Sequence, residues 1–457
     1  MGPALLLHLT TGLTLLTTTT LIDLTNTIDT TSNREIWKGW DTSLAWWAAA
    51  FGQRDDLVNI FFTLRTAPHQ SQPLPGLGLA IARYNAGASS SNIINPSNTR
   101  MIVSPSTIPS RLISGFWLRW TYSSPSPPSW NWSTDPNQRA MLSKATARGA
   151  NILELFSNSS MWWTCKNHNP SGSDGGKSDN VQSWNHRNHA VYLATIAKYA
   201  SENWGSEPSA TWWNGKIGTQ EGCHFDASTQ ADVVGYLRSK LNSRGLQQTI
   251  ISASDESHYD EAVATLNKFS GNATVMGVIA RAGKKLWQSE YGEADATGKR
   301  LVSNLLLDMR WLRPTAWVYW QVLDGGGWEL IEADNNRKTI GQVNQKYFVL
   351  AQFARHIRPG MRILDAGSDY AIAAYDHQVR KLVIVVVNWG DVQYINFDLS
   401  RFGAVGTNGS TIKRWVTQIG SGSRCVEHSD TQLSGTKLWS RFEKKMVQTF
   451  EVSGVVL

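Results

Sequence analysis

The stretch KKLWQSEYG, residues 284–292, is a short apolar run that closes on a glutamate, Glu290, followed by a tyrosine and a glycine. Such a run reads as a buried parallel strand that carries a carboxylate to the rim of a barrel. The same texture recurs on both sides, at residues 35–44, 77–84, 151–156, 248–253 and 315–323. Helical patterns, such as residues 135–148 and 189–203, lie between these runs. Strand–helix alternation over roughly 300 residues, without a glycine-rich phosphate loop, predicts an α/β fold, a (β/α)8 TIM barrel, over a dinucleotide-binding sheet.

Further out, the texture changes after about Gly360. Residues 369–375, 381–388, 393–399, 411–417 and 447–452 are β-rich segments with Gly and Asp turns between them, which predicts a C-terminal β-sandwich. The expected division is a signal peptide over 1–22, a barrel over 35–345 and a sandwich over 346–457. The Thr-rich residues 16–33 read either as a linker or as a further sandwich strand. The first 22 residues carry no acidic or basic charge, and their apolar part is short and diluted by threonine, as in a cleaved secretory signal. Sequons at Asn131, Asn158, Asn272 and Asn408 are compatible with a secreted, extracellular glycoprotein.

Composition narrows the partners. Charged residues are 17% and hydrophobic residues 41% of 457, a globular balance. The net charge of +7 comes from scattered Lys and Arg, with no run that would track a phosphate backbone, so nucleic acid is not an expected partner. The 22 tryptophans stand out, and large aromatic faces fill cores or stack on ligands such as sugar rings. Cys165, Cys223 and Cys425 allow at most one disulfide, and no metal-type His/Cys spacing occurs, so neither metal nor cofactor is expected.

Glycosidic bonds are cleaved by two carboxyl groups flanking the scissile oxygen. Glu290, at a strand end, fits one of them, with a surface ion pair as its plainer reading. Glu207, in GSEPSATWW, is a weaker second candidate, because a Glu before Pro often marks only a turn. Asp255 and Glu256 read better as acids at a helix start.

The motifs GWDTSLAWWA (39–48), LGLAIARYNAGAS (77–89), MWWTCKNHNPSG (161–172), EPSATWW (207–213), QEGCHF (220–225), SASDE (252–256), WVYWQ (317–321) and ARHIRPG (354–360), with KKLWQSEYGE, resemble fungal endo-β-1,6-galactanases of glycoside hydrolase family 30. The resemblance runs from about Trp37 to the C-terminus. It implies a barrel joined to a β-sandwich, with Glu207 as acid/base and Glu290 as nucleophile of a retaining double displacement on β-1,6-galactan, the side chain of arabinogalactan. Arg83 and Asn85 would hold sugar hydroxyls or orient the nucleophile, and Trp163, Trp317 and Trp320 would line the cleft. Alternate residues of WVYWQ face opposite ways, so Trp317 and Trp320 are not equivalent. A monomer is expected. The alternatives are a family 30 hydrolase of other specificity (β-1,6-glucanase, β-xylosidase or exo-galactobiohydrolase) and a non-catalytic sugar-binding relic.

The chain departs from that pattern at three places. No residues remain between the helix ending LATIAKYASENWG and Glu207 for a fourth strand, and Ser206 stands where the family carries asparagine. Between Thr265 and Lys284 one apolar run, 274–280, reads as a helix, and the sixth strand with its histidine is absent. Asp41 stands where the family has glycine. A closed barrel tolerates lost strands poorly, so little or no hydrolytic activity is expected.

Overall fold

The computed structural model describes residues 23–457 except 33, 71, 95–96, 120–124, 127, 174, 177, 205–207, 213–217, 254–258, 282 and 284. Its α/β part is built on strands β2 (Gly39–Ser43), β3 (Ile81–Asn85), β4 (Ile152–Ser157), β5 (Pro208–Trp212), β6 (Trp287–Tyr291) and β7 (Ala316–Tyr319). They form one parallel sheet in the order β5-β4-β3-β2-β7-β6. Helices α1 (Ala45–Phe51), α2 (Asp55–Phe62), α3 (Pro136–Thr146) and α4 (His186–Asn203) follow the early strands. After β5 come α5 (Ala227–Asn242), α6 (Tyr259–Phe269) and α7 (Ala273–Arg281); α8 (Lys299–Leu307) joins β6 to β7.

The local chemistry explains the helix ends. Pro136 opens α3, where its missing N–H costs nothing. Asp55 and Asp56 sit in the first turn of α2, favoured by the helix dipole, and Lys144 of α3 and Arg148 just beyond its end reach Asp55 at 3.0 and 2.9 Å. Gly52 lets α3 approach closely, since a Cβ there would lie 1.9 Å from the Asn137 carbonyl oxygen.

The sheet is an arc with β5 and β6 at its edges, and among the described residues no strand joins them. Two expectations are corrected. The fourth position is occupied by Pro208–Trp212, the residues after Glu207, where the sequence spacing left room for no strand; Pro is tolerated as the first residue of an edge strand. Residues 248–253 form no extended strand among the described residues: only Ile251 is bridged, and the guanidinium of Arg238 on α5 takes the carbonyl of Thr249, and that of Leu246 just before the segment, at 2.6 Å each. The run 274–280 is helical, within α7, as expected.

The β part contains β8 (Arg362–Leu364), β9 (Ala371–Asp376), β10 (Lys381–Asn388), β11 (Gln393–Asp398), β12 (Thr411–Gln418), β13 (Val426–Gln432), β14 (Lys437–Phe442) and β15 (Met446–Ser453). One sheet runs β8-β9-β10-β15-β12-β13, antiparallel throughout. The other has β11 at its centre, with β14 on one side and β1 (Asp23–Thr27) on the other, so the Thr-rich N-terminal segment supplies a strand.

β10, KLVIVVVN, shows why a continuous apolar run can be a strand in an antiparallel sheet. Leu382, Ile384 and Val386 face the core between the two sheets, while Val383, Val385 and Val387 face the core shared with the α/β part. Helix α9 (Gln345–Ala354), buried along its whole length, lies in that shared core. Its polar Gln352 is satisfied there, donating to Thr417 Oγ1 at 2.7 Å and accepting from Thr449 Oγ1 at 2.5 Å. No helix among the described residues is long and apolar enough to cross a membrane.

Candidate active site

Three strands bring one row of side chains to a common level: Ser43 on β2 pairs with Arg83 on β3, which pairs with Glu154 on β4. Residues paired across parallel strands share a face, and Asp41, two residues before Ser43, faces the same way. Arg83 is fully buried. Its Nη1 donates to Glu290 Oε2 at 2.7 Å and to Ser43 Oγ at 3.3 Å, its Nε lies 3.2 Å from Glu154 Oε2, and its guanidinium covers the Phe156 ring at 3.9 Å. Glu290, next to last in β6, is therefore fixed by a charge-assisted bond from across the sheet. It is the exposed member of the group, with 19% of its side chain open, against none for Glu154.

Above this row lies an aromatic floor. Trp320 stands edge-on to Trp46, centroids 5.0 Å apart, and Phe156 completes the cluster. Arg111 stacks on Trp46 at 4.3 Å and reaches Asp324 at 3.5 Å. Trp328, 45% exposed, borders the same place: a Cβ on Gly292 would lie 3.1 Å from its ring and 3.3 Å from Trp320. The sequence reading did not single out Trp328, which follows three glycines in a segment without periodicity; of the Trp46–Trp47 pair after the first strand, Trp46 packs here and Trp47 packs separately on Phe61.

Asn85 lies two residues beyond Arg83, at the end of β3. Its backbone is tied to Gln138 and its Oδ1 accepts from Asn158 N, while its Nδ2 and both amide atoms of Asn158 are buried without a partner among the described residues. Asn158 is buried, so of the four sequons it is closed to glycosylation in the folded chain.

The other expected aromatics go elsewhere. Trp317 pairs with Trp40 on the opposite face of the sheet, buried against Tyr291, with its Nε1 donating to Asp308 Oδ2 at 2.8 Å. Trp163 donates to the Trp117 carbonyl and stands edge-on to Trp117, which begins a stack through Trp130 and Trp132 to Tyr199. Both fill core. Glu207, Asp255 and Glu256 lie outside the described residues; Pro208, which follows Glu207, opens β5 opposite Leu153, near the start of β4.

Two further carboxyls are buried near the site. Among the described residues Asp41 has no well-formed hydrogen bond to either oxygen, and burial, then repulsion from Glu154, push its carboxyl well above the usual range, against the pull of Arg83. Glu221, in the QEGCHF segment, is pushed up to about 8 by burial, although its Oε1 accepts from Ser89 Oγ at 2.6 Å, Ile113 N at 3.0 Å and Ala88 N at 3.3 Å. It ties together the loops that follow β3. Asp179, His224 and Asp226 converge closely enough to hold a cation. Asp179 is already engaged, accepting from Asp226 N at 2.6 Å and from Thr229 Oγ1 at 2.5 Å, so it caps the first turn of α5.

The chain is 52% identical to an endo-β-1,6-galactanase of Hypocrea rufa over 460 residues, covering 94% of this chain and 95% of that protein. Among solved structures it resembles a conserved exported protein from Bacteroides fragilis, with a TM-score of 0.70, 15% identity and coverage of 94% and 100%. It also resembles the catalytic domain of the family 30 xylanase C from Talaromyces cellulolyticus, with a TM-score of 0.69, 17% identity and coverage of 94% and 100%. No protein-family model matches.

Proposed function

Since the chain belongs to the endo-β-1,6-galactanases of glycoside hydrolase family 30, we propose that it is a secreted hydrolase that cleaves the β-1,6-galactan side chains of arabinogalactan internally, with retention. The observation that carries this reading is the Arg83–Glu290 bond at 2.7 Å beneath the Trp46–Trp320 floor. It fixes one partly open carboxylate at a strand end, beside aromatic faces suited to sugar C–H surfaces. Glu290 attacks the anomeric carbon and Glu207 protonates the departing O6. Glu207 then takes a proton from the water that releases the galactosyl-enzyme. The Nδ2 of Asn85 and the side-chain amide of Asn158, without partners among the described residues, suit the hydroxyls of that sugar. Retention requires the two carboxyls about 5–5.5 Å apart in a closed (β/α)8 barrel.

This chain turns over slowly in that reading, because β5 starts after Glu207 whereas β6 ends just beyond Glu290. The same observation favours a second reading, a sugar-binding relic that holds galactan without cleaving it. The test is a time course of reducing ends on β-1,6-galactan, β-1,6-glucan and xylan with the parent chain and Glu290→Gln. Slow release of galacto-oligosaccharides that is lost in the variant supports the proposal. Hydrolysis undiminished by Glu290→Gln overturns the nucleophile assignment, and a preference for xylan or glucan overturns the substrate. Galactan binding without turnover, alike in both proteins, establishes the relic.

A further inference from the structure

Cys165 and Cys223 come from two motifs that the hydrolytic chemistry does not use, and the fold brings them together. Both are wholly buried, and each thiol is within hydrogen-bonding reach of the other. Their segments are also joined through the backbone, Gly222 N donating to the Pro170 carbonyl at 2.9 Å. Cys165 is held in turn by an antiparallel bridge to Val181, and Lys166 N donates to the Asn180 carbonyl at 2.6 Å. Cys425 lies in the β12–β13 turn of the other part of the molecule, its N–H bound to Thr417 Oγ1, so it does not compete for either sulfur.

We propose that Cys165 and Cys223 form a disulfide in the mature protein, stapling residues 165–182 to the Gln-Glu-Gly-Cys-His-Phe segment. The proposal rests on the reading of the protein as secreted, because only an oxidising compartment sustains such a bond. The staple encloses residues 166–222, the span that carries α4, Glu207 and β5. It therefore anchors both ends of the segment bearing the acid/base.

The chemistry is thiol–disulfide exchange. The Cys223 thiol, with help from the hydroxyls of Ser160, Ser159 and Thr164, draws the Cys165 thiol below its ordinary range against the effect of burial, and Cys223 itself is pushed up. Before the loops close, one thiol of the pair, Cys165 for example, ionises and attacks. It displaces one thiolate from a disulfide oxidant of the glutathione or protein-disulfide class. The Cys223 thiolate then attacks Cys165 Sγ and expels the second. Two thiols lose two electrons and two protons, and the oxidant's disulfide becomes two thiols. Because both sulfurs are buried once the loops close, the exchange takes place during folding.

The full chain, produced by secretion, is denatured without reductant in the presence of an alkylating agent, and its peptides are mapped by mass. The expected result is a single alkylated thiol, Cys425, and a linked Cys165–Cys223 peptide pair about 2 Da lighter than the two reduced peptides. In parallel, fully reduced chain is refolded in a glutathione redox buffer and mapped in the same way. Three alkylated thiols in the refolded, folded protein overturn the pairing. A closed pair after refolding, together with three thiols in the exported protein, shows that the two sulfurs can reach each other but overturns the disulfide of the mature protein and counts against the secreted reading. Cys223→Ser is expected to expose two thiols and to lower the unfolding midpoint by about 4 °C. An unchanged midpoint, with three thiols in the parent, overturns the staple.

Discussion

Replacing Asp41 with asparagine is expected to stabilise the protein by an amount that grows with pH. In the folded chain the Asp41 carboxyl is buried within electrostatic reach of Arg83, whose guanidinium pairs with Glu154 and Glu290. Burial and Glu154 hold its proton on, whereas an unfolded chain releases that proton near pH 3.9. Below that pH both states are protonated and the full stability is present. Above it the folded state carries one proton more, so stability falls by about 1.4 kcal/mol per pH unit until Asp41 itself ionises. The amide of the variant would occupy the same space without this slope. With an unfolding entropy of about 2.1 cal/mol/K per residue, a chain of 457 residues loses about 1.5 °C of midpoint per pH unit from this group. Calorimetric midpoints of parent and Asp41→Asn, measured from pH 4.5 to 7, should therefore diverge at roughly that rate. A constant gap across the range would show that Asp41 is ionised in the folded protein and would refute the expectation.

Three other substitutions bear on the same frame. Arg83→Met leaves Glu154 buried without its cation and should cost about 3–5 kcal/mol in denaturant unfolding; a loss below about 1 kcal/mol contradicts the central role of the guanidinium. Glu221→Gln removes a carboxyl pushed up to about 8, whose contribution is complete below the unfolded value of about 4.3 and is lost as pH climbs toward 8. The variant should gain on its parent over that window and no further above it, as calorimetric midpoints carried from about pH 4.5 to about pH 9 would show. Lys346→Met removes the cation that four acceptors share, the Glu293 carboxylate and carbonyl, Tyr319 Oη and the Gly327 carbonyl, for an expected loss of about 3–5 kcal/mol in denaturant unfolding; a neutral result would mean that the cluster rearranges freely.

Much of this architecture was legible because burial writes itself into residue type. β10 reads as a strand from seven consecutive buried positions, and β3 and β6 from short runs ending in polar groups. Parity separated Trp317 from Trp320 in advance, but parity alone does not say which face meets the cleft; the pairing of Trp317 with Trp40 on the helix side does. Residues 248–253 show the limit of pattern reading, since their sequence suits a strand while the described residues carry only one bridged position there and the Thr249 carbonyl goes to a guanidinium on α5. β13, VEHSDTQ, was not foreseen because it is a largely exposed edge strand that carries little apolar signal. The aromatic floor was half visible: Trp320 was named, while Trp46 and Trp328 depend on long-range contacts that no local period encodes.

The N-terminal strand β1 has a consequence for biosynthesis. Its partner, β11, lies some 370 positions further along, as the pairing of Asp23 with Tyr394 shows. A ribosome emits the first strand long before the second, so this edge of the sheet closes only after nearly the whole polypeptide has emerged. Until then an unpaired segment with free backbone donors and acceptors must be shielded from neighbouring chains. Leader processing that cut beyond Asp23 would remove a structural strand and leave β11 as a bare edge.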